Sequence, residues 1–266
     1  MNTGPFPSVD IALAAVVLVL DAVLSMTMRL QVHRALAVAS LRMIAQLVAL
    51  GFILRTVFAA NAAWLTMALI LAMTLAAARE AAARPQRRLN RGHFLTSLTG
   101  VAAPALLTCL FAMACFTGPG ADGWTPRIVV PIAGILLGNV LNSVSMGMTG
   151  VLDGVTREAT AIEARLLLGH TFHEATAPLQ RRAVRQALVP LINQMSAAGI
   201  ITMPGIMTGQ VLAGMDPLHA ATYQIVLMLL LAGASGLAAI ASVRLVLGRL
   251  TDERQRLRID RLGGSG

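Results

Sequence analysis

The sequence contains no lysine: all 21 of its basic residues are arginine. A phosphate-binding P-loop needs G-x-x-x-x-G-K-[ST], whose lysine reaches the phosphates, so this chain carries no Walker A site. Charge of either sign is scarce, at 12% of residues, where a soluble domain carries about 25%. Aromatic residues make up only 4%. The two cysteines, Cys109 and Cys115, lie six residues apart in one apolar segment. On a helix they point in different directions, so no disulfide is expected between them. No Cys/His cluster of metal-binding spacing occurs, and neither H-E-x-x-H nor G-x-S-x-G is present. These absences argue against an intramembrane enzyme.

What is present is apolar. Hydrophobic residues make up 56% of the chain and the mean hydropathy is +0.73. Membrane strands would give alternating segments of about 10 residues; here the apolar runs are about twice that length and continuous. The fold class is therefore all-α: a polytopic integral membrane helical bundle. A span needs about 20 mostly apolar residues. Seven candidates fit, over 9–28, 35–58, 62–78, 94–117, 128–148, 187–213 and 220–247. The first lacks a basic leader and an A-x-A site, and is expected to be a span, not a cleaved signal. We expect one permease-like domain over 1–250, with a cytoplasmic segment at 149–186, and a charged tail over 251–266 that is a short helix or a frayed end.

The net charge of +9 is read as topology, with no nucleic-acid partner expected. Under seven spans, Arg29 and Arg34, the group Arg79 to Arg91, the group Arg157 to Arg185 and the group Arg249 to Arg261 fall on one side. Only Arg55 and Arg127 fall on the other. The positive-inside rule then places the N-terminus outside and the C-terminus in the cytoplasm.

The stretch 149–186 is too polar to span and too periodic to be a linker. Val155, Ala159, Ile162 and Leu166 form an apolar stripe, with Arg157, Glu158 and Arg165 expected to face water. Gly169 stands where a helix-ending glycine belongs. Thr171 and Glu174 fit the capping box S/T-x-x-E. Pro178 should kink or restart the helix that follows. This chemistry predicts a helix, a sharp turn, a short helix, and a third segment bringing Arg181, Arg182 and Arg185 to the bilayer. One reading is an amphipathic helix resting on lipid headgroups. The other is a coupling helix that inserts into an ATPase.

Glu163 and Ala164, followed by Gly169, resemble the E-A-A-x-x-x-G loop of ABC importer permeases, although Arg165 replaces the second alanine. A narrower resemblance covers most of the chain. The turn at 163–171, the P-x-x-R-x-A-x-R-like run at 178–185, the M-P-G-I-M-T-G-Q-x-L-A-G run at 203–214 and the P-x-x-A-x-x-Y-Q run at 217–224 are similar to FetB-type ABC permeases. Gly138, Asn139, Asn142, Ser143 and Ser145, and Arg42 with Gln46 and Leu47, fit the same family. Met203, Ile206 and His170 depart from its pattern. The family's bacterial members are iron exporters, and its plant relatives include aluminium-sensitivity proteins. The resemblance implies a permease subunit that exports iron or another metal, paired as a homodimer in the bacterial cytoplasmic (inner) membrane. It also implies coupling to an ABC-type ATP-binding subunit through Glu163, Ala164, Gly169, His170, Thr171 and Glu174. Without lysine, the chain itself binds no ATP at a P-loop; ATP-Mg is expected in the partner, and no cofactor in this chain.

Polar groups inside spans are costly and mark function by default. Candidates for a translocation path are Asp21, Arg42 and Gln46 in the first two spans, with Asp21 and Arg42 a possible ion pair. Asn139, Asn142 and Ser143 follow at i, i+3 and i+4 in the fifth span. In the sixth, Pro204 and Gly205 should break the helix, with Met207, Thr208 and Gln210 beside the freed backbone. Interhelical hydrogen bonding and packing account for the same residues without transport. Met26, Met28, Met146, Met148, Met203 and Met207 are available soft ligands, though packing explains each singly. A stand-alone secondary carrier or channel, with Asp21 carrying protons, is the alternative.

Overall fold

The computed structural model describes residues 8–28, 33–116 and 125–263. Arg29, Thr117 and the last three residues of the terminal GGSG therefore lie outside the described residues. Nearly all of the described chain is helical, as expected for an all-α membrane protein. It forms two compact units, 1–60 and 61–266. The first contains α1 (Ser8–Thr27) and α2 (His33–Ala60), which pack on each other. The second contains α3 (Ala63–Ala83), α4 (His93–Phe116), α5 (Pro126–Arg157), α6 (Ala159–Leu167), α7 (Phe172–Ala197), α8 (Gly205–Leu212) and α9 (Pro217–Arg249). Among the described residues five helices, α2, α3, α4, α5 and α9, are long and apolar enough to cross a membrane, and α1 carries a shorter apolar stretch.

In the second unit α5 is the central post, packing against α3, α4, α7 and α9. Leu136, Val140, Val144, Met148, Val151, Leu152 and Val155 are fully or almost fully buried along it. Three glycines let neighbours approach. A Cβ on Gly147 would meet Ser242 Oγ at 2.8 Å and Val243 of α9 at 3.3 Å. One on Gly150 would meet Ala183 of α7 at 3.2 Å, and one on Gly154 would collide with Leu179. Gly150 and Gly154 form a small-xxx-small pair, the pattern that brings helices together where lipid supplies no hydrophobic drive.

Three expectations need correction. The fifth helix does not stop at Met148; it runs unbroken to Arg157, because Val151, Leu152 and Val155 are buried. Asp153 and Arg157 do not end it, since they stand on its more open side. Next, α7 is one helix through Pro178, with no restart there. Proline removes one backbone donor, but Ala175, Thr176, Leu179 and Ala183 on either side are buried and hold the helix in place. Finally, 187–213 is not one helix. The chain leaves α7 at Ala197, turns at Gly199 (φ +80°) and re-enters helix only after Pro204. Gly199 N–H donates to Thr202 O (2.9 Å) and Thr202 N–H to Ala197 O (3.0 Å), closing that turn. The predicted break at Pro204 and Gly205 is thus present, but wider.

Within the described residues the charged tail is not frayed, and its only helix is a single 3-10 turn at Ile259–Arg261. Arg88–Leu89 (β1) pairs antiparallel with Leu262–Gly263 (β2), Leu89 opposite Leu262. Asn90 N–H donates to Arg261 O at 2.8 Å, and Arg261 Nη1 donates to the carbonyls of Arg249 and Thr251. Phe172 N–H, at the start of α7, donates to Gln255 Oε1 at 2.8 Å. The tail is a strap joining the α3–α4 connection to the head of α7. Three of the arginine-rich stretches that the charge bias had grouped therefore meet at one end of this unit.

Asp252 folds the start of the strap on itself. Its carboxylate accepts from the Arg256 backbone and guanidinium and from Arg254 N–H. The Arg256 contacts lower its pKa from 3.8 to about 2. The contribution of this lowered carboxyl to the strap's local fold is complete above its unfolded pKa and is lost as pH falls through about 2. Pepsin cleavage within 251–263 should therefore rise as pH drops from about 4 toward 2, and Asp252→Asn should already be cleaved at the upper end of that window.

Candidate functional site

The clearest built feature is the turn between α6 and α7. Leu168 is the C-cap of α6, and Gly169 follows it with φ +91°. Gly169 N–H donates to Leu166 O (3.0 Å) and His170 N–H to Arg165 O (3.2 Å). These two bonds make a Schellman motif, which needs the left-handed backbone that glycine adopts without strain. Thr171 then starts α7. Its Oγ1 accepts from Glu174 N–H (3.3 Å), and Glu174 Oε2 accepts from Thr171 N–H (2.9 Å) and Oγ1 (2.8 Å). The capping box read from sequence is complete. Hydrogen bonds from the Thr171 backbone, then from its hydroxyl, hold the Glu174 carboxyl below its ordinary range, with His170 and His173 adding to the effect.

The apex between these caps is open. Leu167 and Leu168 are 89% and 79% exposed, and Glu163, Ala164, Gly169, His170, Thr171 and Glu174 are all exposed around them. Behind the apex the segment is fixed. Ile162 and Val155 are buried, as the stripe predicts. Arg165 does not simply face water: its Nη1 donates to Ala175 O at 3.0 Å, bridging α6 to α7. Glu158 receives both of its bonds from Arg182, at 2.7 and 2.8 Å. Arg182 is thus turned toward α6, a role hidden in sequence because its partner is 24 positions away.

The candidate path residues fall into separate groups. Asp21, Arg42 and Gln46 belong to the first unit and are exposed on it. Asn139 and Asn142 lie on the more open face of α5, whereas Ser143 points into the core at 3% exposure. The stripe therefore splits at its last member. Asn139 Nδ2 donates to Ile135 O of its own helix (3.0 Å), and Asn142 Oδ1 accepts from Arg84 at 2.7 Å.

Pro204 and Met207 line a cavity of about 420 Å³ between the α7 end, α8 and α9. Its wall includes Met195, Gln224 and Met228, which sequence reasoning passed over. Gln224 is only 7% exposed, and its Oε1 has no hydrogen-bond partner among the described residues. Such a group is costly unless something occupies the space before it. Gln224 ends the Y-Q motif at 217–224, so a signal for it was present; Met195 and Met228 had none. Gln210 Oε1 is likewise buried without a described partner, and Thr208 Oγ1 bonds back to Pro204 O (3.1 Å). Among the described residues, no group of three or more His, Cys, Asp or Glu side chains could hold a metal ion.

Comparison with known proteins fits this picture. The model of the Uncharacterised protein family UPF0014 matches residues 8–250. The UPF0014 membrane protein STAR2 of Oryza sativa subsp. japonica is 32% identical over 87% of this chain and 79% of its own length. The Escherichia coli (strain K12) protein named "Probable iron export permease protein FetB" is 28% identical over 98% of this chain and 99% of its own. The Arabidopsis thaliana protein ALUMINUM SENSITIVE 3 is 29% identical over 88% and 84%. No solved structure matches. The resemblance first carried by the turn at 163–171 and the run at 203–214 thus extends along the chain, which belongs to the UPF0014 family of multi-pass membrane proteins.

Proposed function

We propose that this chain is the membrane-spanning permease subunit of an ABC transporter, that it exports iron or another metal, and that a separate subunit binds ATP-Mg. One observation carries the reading. The exposed Leu167–Leu168 apex is clamped between a Schellman turn and a capping box, and Arg165 and Glu158 tie it back to α7. A rigid apolar tip on a polar support suits insertion into another protein better than flat contact with headgroups. The name of the Escherichia coli relative supports the permease role and the iron cargo.

In this reading 1–250 forms one permease domain with seven spans in the bacterial inner membrane, N-terminus outside and C-terminus inside. Two copies pair, each engaging one ATPase. Movement of the apex passes along α7, whose Leu179 and Ala183 pack on Gly154 and Gly150 of α5. The far end of α7 borders the cavity of Met195, Met207, Met228 and Gln224. Thioether sulfur and amide oxygen there, with Gln210 nearby, are the neutral donors a passing cation would meet. Asp21, Arg42, Gln46, Asn139, Asn142 and Ser143 are further candidates for the path.

The test is transport in inverted vesicles containing this chain and the ATPase that co-purifies with it. ATP should drive iron accumulation, and Gln224→Leu should reduce it by about tenfold, the effect of one lost interaction of 1.4 kcal/mol. Equal accumulation without ATP, by the purified chain alone, would instead establish a stand-alone carrier.

A further inference from the structure

A second cavity, of about 490 Å³, lies where the strap meets the ends of α4 and α9. Arg91, Arg249, Arg258 and Arg261 line it, against a single carboxylate, Asp260. Two of these cations are already engaged. Arg258 bonds Asp260 through Nε and Nη2, at 2.8 and 2.7 Å, and Arg261 spends Nη1 on two carbonyls. The other two are not: among the described residues, neither Arg91 nor Arg249 makes a side-chain hydrogen bond or ion pair. The Arg249 guanidinium nevertheless has a defined seat. It lies against Gly92, where a Cβ would come within 3.3 Å of Nη1 and φ is +72°.

We propose that this cleft binds a phosphate-bearing anion through Arg91 and Arg249, with Arg261 adding charge at the rim. Guanidinium groups match phosphate oxygens by paired N–H donors, and two free ones in one concave site favour phosphate over a monodentate anion. Arg249 closes the last turn of the α9 span, and Arg91 stands two residues before α4 enters. The cleft therefore sits where two spanning helices leave the apolar layer. Leu245, one helical turn inward from Arg249, is exposed, which leaves an apolar surface beside the cleft. A phospholipid headgroup and a free phosphate offer the same chemistry here, and the site is separate from the α6–α7 apex and from the methionine-lined cavity.

The full-length protein should be stripped of lipid and placed in phosphatidylcholine nanodiscs. Cardiolipin or phosphatidylglycerol is then added in one arm, and inorganic phosphate in the other. Lipid retention is read by native mass spectrometry, and phosphate binding by calorimetry. Retention of the acidic lipid, reduced at least tenfold in Arg91→Gln/Arg249→Gln, identifies a headgroup site. Phosphate binding with the same loss identifies a free-anion site. Asp260→Asn, which removes the carboxylate that lines the cleft, should strengthen whichever ligand binds by several-fold. Arg181→Gln/Arg185→Gln removes the same charge elsewhere, and an equal loss in that variant would overturn the site in favour of diffuse surface attraction. Binding of both probes unchanged in Arg91→Gln/Arg249→Gln would also overturn it. The melting profile of each variant in detergent separates lost binding from lost fold.

Discussion

Gly169→Val should abolish co-purification of the ATPase and reduce ATP-driven transport by well over tenfold, while the bundle still melts as wild type. The residue sits at φ +91° with open space around it. Steric collision is therefore not the cause of the effect. A β-branched residue in the left-handed region costs about 1–2 kcal/mol, enough to drive the chain out of that conformation. Loss of the two Schellman bonds would then swing Leu167 and Leu168 away from the Thr171 cap. Glu174→Ala should act in the same direction but more weakly, since losing a cap costs typically about 1 kcal/mol. If ATPase retention is unchanged in Gly169→Val and also in Leu167→Asp/Leu168→Asp, the apex is not the docking element.

The second large effect is on folding. Gly147→Val should destabilise the second unit by about 3 kcal/mol, the upper end of ordinary overpacking. Unlike Gly169, Gly147 has normal helical geometry and no room. Its would-be Cβ meets Ser242 Oγ, Val243 Cγ2 and the Ala239 carbonyl, all on α9. Ser242 and Val243 are fully buried and have nowhere to move. The expected readout is a fall of roughly 6–12 °C in the detergent melting midpoint. Gly138→Val, on an open part of the same helix, should shift the midpoint little. Equal shifts in the two variants would show that α5 and α9 are not in close contact at Gly147.

The difference between these two glycines also explains what could be read in advance. Gly169, Thr171 and Glu174 act over a few residues, so their spacing carried the whole motif. Three of the four arginine groups were legible for a related reason: counting arginines along a chain needs no knowledge of packing. Pro178 misled because the burial of Leu179 and Ala183 against α5, a tertiary fact, outweighs the one backbone bond that proline removes. Asn142 was legible as polar, but its partner Arg84 lies 58 positions earlier. The cavity at Gln224 depends on the fold-back at Gly199, which brings α8 and α9 against the end of α7. The strap was hidden most completely, since nothing local in Leu262 announces Leu89 as its neighbour.

That last pairing has a consequence for biosynthesis. Leu89 must wait until Leu262, about 170 residues later, has left the ribosome. At about 5–20 residues per second that delay is on the order of 10–30 s. Throughout it, the loop before α4 and the head of α7 stay unlatched at the nascent protein's surface. Chaperones, proteases or an early-arriving subunit meet an open version of this end until the two strands pair.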